Sequence, residues 1–182
     1  QPASDLIAAV TSIPPAIGGW NNQLQYKSSG LEFLFDYKFG AVIYSGTNAR
    51  AYAAGLQKET LNGRETGIKV TGVDDAGNAV NKTISAQDYY GALSGISLVQ
   101  TYSADFIKLR SLSLSYNIPA KTLKHFAQGI IVSLVGINLL YVKRDTPNVD
   151  PESNYSNGFS YGLEYGSLPS TKSFGLNVNV RF

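Results

Sequence analysis

The chain of 182 residues carries 15 Lys and Arg against 13 Asp and Glu, a net charge of +2, with 12 Tyr, 8 Phe, one Trp and no Cys or Met. Its length is that of one ordinary domain, yet only 15% of residues are charged, against ~25% in typical soluble domains. The lack of cysteine excludes a disulfide scaffold, a thiolate metal site and a catalytic cysteine, and a chain with no basic cluster longer than Lys143-Arg144 has no electrostatic footprint for nucleic acid.

The opening Gln1-Pro2-Ala3-Ser4-Asp5 has neither the basic nor the apolar region of a signal peptide, and residues 1–19 read as the end of a loop. Side chains alternate between faces along a strand, and five segments show that alternation: 20–27, 31–44, 106–118, 130–143 and 171–182. In 31–44, Leu31, Phe33, Phe35, Tyr37, Phe39, Ala41 and Ile43 share one face, opposite Glu32, Asp36, Lys38 and Gly40. In 106–118, Leu112, Leu114, Tyr116 and Ile118 oppose Ser111, Ser113, Ser115 and Asn117. Lys108 and Arg110 share the apolar parity there, which places them at a membrane interface or beyond it, because a basic residue on a lipid face at the midplane costs roughly 2 to 4 kcal/mol. The run 129–142 is too short for a spanning helix but ample for a spanning strand, which needs ~9 to 11 residues.

The last segment is the most regular. Phe174, Leu176, Val178, Val180 and Phe182 fall on one face, and Ser173, Gly175, Asn177, Asn179 and Arg181 on the other. One face suits lipid and the other water; a soluble sandwich strand alternates in the same way.

The connections alternate short and long: 28–30, then 45–104, then 119–129, then 145–170. Membrane barrels join their strands by short periplasmic turns and long extracellular loops, so 45–104 and 145–170 are expected to be extracellular. Inside the first loop, 68–71 and 79–84 flank Asp74-Asp75-Ala76-Gly77-Asn78 as a small hairpin, and Ser85 caps a short helix through Gln87-Asp88-Tyr89-Tyr90. Five strands cannot close a membrane barrel alone, since ~8 are needed. The fold class expected is all-β: about five antiparallel strands of a transmembrane β-barrel with long extracellular loops, either one portion of a larger barrel or pooled from several copies.

No catalytic constellation is present, and the chain does not read as an enzyme. His125, the single histidine, sits in a turn without an acid or nucleophile nearby. Asp74-Asp75 and the group Asp145, Asp150 and Glu152 carry ligands that suit calcium, but neither has EF-hand spacing, and turn chemistry accounts for both. No cofactor is expected. Loop aromatics stand out: Tyr89, Tyr90, Tyr102, Tyr155, Phe159, Tyr161 and Tyr165, interleaved with Asn154, Asn157 and Gly158. Sugar rings stack on aromatic faces while their hydroxyls need amide partners, so Tyr89, Tyr90, Tyr155, Tyr161 and Asn154 are candidates for contact with a substrate or with a covering partner protein. Packing of loop on loop explains the same residues.

The run from Ala104 to Pro119, ADFIKLRSLSLSYNIP, resembles the penultimate-hairpin signature of SusC/RagA-type TonB-dependent outer-membrane transporters. Ser133-Leu134-Val135-Gly136-Ile137-Asn138-Leu139, Val149-Asp150-Pro151-Glu152 and Thr171 to Phe182 follow in the family's order. Upstream, residues 34–40 and Gln87-Asp88-Tyr89-Tyr90 also resemble it, so the likeness runs from about Trp20 to the end.

The resemblance implies a C-terminal part of a roughly 22-stranded barrel filled by a plug, in the bacterial outer membrane. It implies import of oligosaccharides or peptides beneath a SusD-like surface lipoprotein, with TonB engaged through an upstream portion. It also implies that Phe174, Leu176, Val178, Val180 and Phe182 form a barrel-assembly signal. Two other readings fit the residues alone: a barrel pooled from several copies, acting as an adhesin or passive pore, and a secreted soluble carbohydrate-binding β-domain.

Overall fold

A computed structural model describes residues 11–74, 76–123, 127–154, 158 and 161–182. Along the chain come β1 (Ala16–Tyr26), β2 (Ser29–Phe39), β3 (Val42–Ser45), α1 (Gly46–Ala53), β4 (Ile68–Val73), β5 (Ala79–Ile84), α2 (Ala86–Ser94), β6 (Thr101–Ser103), β7 (Phe106–Pro119), β8 (Gly129–Arg144), β9 (Leu163–Glu164) and β10 (Ser173–Arg181). They fall into two compact units. A sheet unit comprises residues 14–41, 104–145 and 169–182; a loop unit comprises the remainder up to Leu168.

The sheet unit is one antiparallel sheet in the order β1-β2-β7-β8-β10. β1 and β2 meet through a two-residue turn, Lys27-Ser28, with Lys27 at φ 53°, the left-handed conformation that tight hairpins require. Register assigns the two faces, because directly paired residues share a face. On one face, Trp20 pairs with Phe35, Phe33 with Leu112, Leu31 with Leu114, Leu114 with Leu134, and Leu134 with Leu176. The other carries Gln23 opposite Glu32, Glu32 opposite Ser113, Ser115 opposite Ser133, and Ser133 opposite Asn177.

Two bulges, one in β7 and one in β8, change the parity read from sequence. Leu34 pairs with Ser111 but Phe35 with Leu109, so Arg110 is an extra residue against β2. Ile107 pairs with Lys143 and Lys108 with Tyr141, which leaves Val142 over on β8. A bulge puts one extra residue on one strand and so swaps the faces beyond it. Leu109 and Ile107 therefore continue the apolar stripe, and Lys108 lies opposite Asp36 on the polar face. The expectation that Lys108 and Arg110 share the apolar face is corrected accordingly: Lys108 donates to Tyr141 Oη at 3.2 Å and to Ser170 Oγ at 2.7 Å.

The segment expected as one strand over 31–44 is two. β2 ends at Phe39, Gly40 turns the chain at φ 83°, and Val42–Ser45 pairs in a different sheet with β6 and β9. Only glycine adopts that φ without strain.

Every residue of β10 is exposed on both faces, Phe174 at 79% and Leu176 at 66%. Trp20, Leu24, Tyr116, Leu114, Leu134, Leu140 and Val142 are exposed as well. A water-soluble monomer rarely leaves an apolar patch beyond a few hundred Å² uncovered. A face of this kind marks a surface that lipid or another part of a protein covers. β2 is 11 residues long, about 36 Å, which at the ~45° tilt of spanning strands covers the ~25 Å height of a barrel's apolar band.

Candidate functional site

The loop unit is held together by polar groups more than by a hydrophobic core. Glu164, 1% exposed, receives the Ser45 hydroxyl on Oε2 and the Thr47 hydroxyl on Oε1, both at 2.6 Å, and the Ser167 N–H on Oε1 at 3.3 Å. Ser45 also caps α1, its Oγ accepting from Asn48 N at 3.1 Å. Beside it the Asn48 amide is enclosed: Nδ2 donates to Pro147 O, while Oδ1 accepts from Gln57 Nε2 at 2.7 Å and Asn148 Nδ2 at 3.1 Å. This lattice ties α1 to 146–148 and to β9, and so fixes two sequence-distant stretches to each other. Buried polar groups persist only when so satisfied. Gln100 Nε2 is a buried side-chain nitrogen with no partner among the described residues, although its Oε1 accepts from Tyr102 Oη at 3.0 Å. Burial, with a smaller contribution from Glu59, raises the Tyr102 phenol above its ordinary value.

α2 begins where the sequence places a cap. Ser85 Oγ accepts from Asp88 N at 3.0 Å and donates to Asp88 Oδ2 at 2.7 Å. The hairpin read at 68–84 is also present: β4 pairs with β5 throughout, and Asp74 accepts from Ala76 N and Asn78 N in the turn.

A cavity of about 610 Å³ opens between the end of α1 and the start of α2, lined by Tyr52, Gly55, Leu56, Thr60, Arg64, Ser85, Gln87 and Tyr90 among others. Tyr90 is buried and donates its hydroxyl to Glu59 O at 2.7 Å, and its ring meets those of Tyr52 and Tyr89 at 5.9 and 5.2 Å. Arg64 is clamped by Thr60 O, Thr60 Oγ1 and Gly55 O. A wall of rings beside hydroxyl, amide and guanidinium donors suits a polar ligand with flat apolar faces.

Of the residues singled out from sequence, Tyr90 lines this cavity, and Tyr89 meets the Tyr90 ring without lining the cavity. Asn154 does not line it; its Oδ1 accepts from Gly162 N at 3.0 Å and its Nδ2 donates to Glu152 O. Tyr161 lies elsewhere in the unit, and Tyr155, Phe159, Asn157 and His125 are outside the described residues. Tyr52 and Arg64 were not foreseen, because nothing local in the sequence pairs them with α2. Among the described residues no group of three or more His, Cys, Asp or Glu is placed to hold a metal ion. Phe174, Leu176, Val178 and Val180 share the face of Gly136, Leu134, Val132 and Ile130 on β8.

No family profile matches the chain. It is 28% identical over 173 residues to TonB-dependent receptor P3 of Formosa agariphila, covering 90% of this chain and 16% of the relative. It is also 28% identical over 187 residues to TonB-dependent receptor P26 of the same organism, covering 98% and 18%. The chain thus spans under a fifth of the curated relatives it matches. In fold it is similar to the RagAB peptide importer in its closed-closed state, with TM-score 0.66, 18% identity and coverage of 94% of this chain and 18% of that one. The open-open state matches with TM-score 0.62, 20% identity and coverage of 95% and 18%. These likenesses, with the two-faced sheet and its uncovered apolar side, point one way: the chain is related over most of its length to TonB-dependent receptors and has the fold of a β-barrel portion of the RagAB importer.

Proposed function

We propose that this chain forms part of a TonB-dependent importer of nutrients too large for porins, oligosaccharides or peptides, working beneath a SusD-like surface lipoprotein. The observation that carries the reading is the five-stranded sheet with one continuous apolar face and one polar face, in a chain related to TonB-dependent receptors over most of its length. The apolar face meets lipid. The polar face, with Asp36, Lys108, Ser113, Ser133 and Asn177, lines the interior that the plug occupies. Phe174, Leu176, Val178, Val180 and Phe182 guide assembly of the barrel edge.

The loop unit forms part of the extracellular mouth. Tyr89, Tyr90, Tyr161 and Asn154, with Tyr155, contact cargo or the lid, and the Tyr52–Tyr90 cavity is the best-formed recess for a sugar ring or a peptide side chain. Peptide cargo is the use named for the structural neighbour RagAB; the mixture of tyrosine, asparagine and glycine in these loops suits glycans equally. Passage is by binding and gated release, with no covalent step, and energy enters through TonB in an upstream portion.

The test is uptake by cells that carry the complete transporter. Cargo accumulation falls to background when TonB is deleted or the proton-motive force is collapsed. Accumulation that persists unchanged without either would identify a passive pore instead.

A further inference from the structure

Among the described residues that line the cavity between α1 and α2, Arg64 alone is charged. Its guanidinium is held from one side. Nε donates to Thr60 O at 2.9 Å, and Nη2 donates to Gly55 O and, at 3.1 Å, to Thr60 Oγ1, so each acceptor is uncharged. Among the described residues Nη1 has no hydrogen-bond partner and no carboxylate pairs with Arg64. Asp88, next to Gln87 in the chain, is engaged by the Ser85 hydroxyl at 2.7 Å instead. The cation is thus fixed at its base with its charge unanswered. Ordering a long side chain before the ligand arrives lowers the entropy cost of binding, and a guanidinium meets a carboxylate through charge-assisted hydrogen bonds, the stronger class.

Two more polar ends on the same lining are open. The Gln87 side-chain amide and the Tyr52 hydroxyl make no hydrogen bond among the described residues. Both groups donate and accept, as sugar hydroxyls do. The rings of Tyr52 and Tyr90, with centroids 5.9 Å apart, supply flat apolar surface for the C–H face of a pyranose. The volume, about 610 Å³, lies within the ~300 to 1,000 Å³ of small-ligand sites.

We propose that this cavity takes a uronic acid residue of an acidic oligosaccharide, with its carboxylate on Arg64 Nη1 and its hydroxyls on Gln87 and Tyr52. The proposal rests on the reading that the loop unit forms part of the extracellular mouth, and it gives the cargo a charge: an anionic glycan in preference to a neutral one. A neutral sugar leaves the guanidinium unanswered. A ligand led by an ammonium group meets no carboxylate among the described residues of the lining.

The complete transporter in detergent is titrated by calorimetry with tetragalacturonate, with its methyl ester, which keeps the rings and removes the charge, and with a tetraglutamate peptide. Wild type binds tetragalacturonate at least tenfold more tightly than either of the others. Arg64→Gln abolishes the preference over the ester. Because Arg64 also holds Gly55 and Thr60, a second pair of variants leaves its hydrogen bonds intact, at Ala54, an exposed residue of the same lining. Ala54→Glu brings a competing carboxylate and abolishes the preference, whereas Ala54→Gln, of the same size, keeps it. Equal affinity of wild type for acid and ester, a preference that survives in Arg64→Gln or in Ala54→Glu, or its loss in Ala54→Gln overturns the site. Tighter binding of the peptide than of the glycan overturns the assignment to sugar. The reading beneath is tested separately at Leu56, 80% exposed on the same lining: Leu56→Cys is labelled on whole cells with a membrane-impermeant maleimide. Labelling above that of wild type is expected; its absence removes the cavity from the extracellular mouth, whatever the titrations show.

Discussion

Arg110 donates from Nε to Asp36 Oδ2 at 2.5 Å across the β2–β7 pair, and its Nη1 donates to Asn138 Oδ1 at 2.8 Å on β8. Arg110 can do so because it is the extra residue of a bulge. Asn138 answers it at φ 54°, a left-handed conformation that asparagine tolerates better than most residues. One guanidinium thus joins three strands on the polar face.

Removing either partner should loosen that junction. Arg110→Ala and Asp36→Ala are each expected to destabilise the refolded complete barrel, and the double variant to recover part of the loss, giving a coupling of about 1 kcal/mol. The figure is at the upper end for a partly exposed pair, because the geometry is fixed by the bulge. Urea unfolding in lipid bilayers of the four proteins measures it; additive losses would show that the pair contributes nothing.

The bulge is also where sequence and structure part. Strict alternation made β10 and most of β2 legible, since period-2 patterning needs no tertiary information. In β7 the same rule put Lys108 and Arg110 on the apolar parity, and so at the membrane interface or beyond it, because an inserted residue leaves no mark in the chain except a parity conflict. The conflict itself was the signal: two cations on an apolar parity, followed by clean Leu112 and Leu114. Gly40 was the other missed break, hidden because Ala41 and Ile43 continue the apolar parity beyond it. In the loop unit, Ser85 announced its helix by local capping chemistry. Glu164 announced nothing, since its partners Ser45 and Thr47 lie more than a hundred residues away and a buried carboxylate has no local pattern.

Glu164→Ala should release the 146–168 stretch. It strips the Ser45 and Thr47 hydroxyls of their acceptor in a site closed to water, and a buried group left without its partner costs about 1 to 3 kcal/mol. Limited proteolysis of the complete transporter is expected to cut within 146–168 in the variant well before wild type, with the barrel strands protected in both. Equal cleavage rates would assign the packing of this stretch to other contacts.

The turn at Asp74 gives a pH dependence with a definite sign. Hydrogen bonds from Asn78, backbone first and side chain next, hold the carboxyl below its ordinary value against an opposing effect of desolvation, with lesser help from Ala76 and Gly77. A depressed folded-state pKa stabilises the turn above the ordinary carboxylate value, and the contribution is lost as pH falls through the lowered one. Amide exchange, corrected for its intrinsic pH dependence, should show constant protection of 68–73 and 79–84 from pH 8 to pH 5 and declining protection below the ordinary carboxylate range. Asp74→Ala should be less protected than wild type at neutral pH and insensitive to that acidification.

The two faces of β10 carry the membrane placement of the sheet most directly. The chain has no cysteine, so single cysteines at 174, 176 and 178 and at 175, 177 and 179 can each carry a spin label in the complete transporter in lipid bilayers. Collision with oxygen, which concentrates in lipid, is expected to be high at 174, 176 and 178, and collision with a water-soluble nickel chelate to be high at 175, 177 and 179. The opposite phase, or no alternation along the strand, would contradict the placement of this sheet in the wall of a transmembrane barrel.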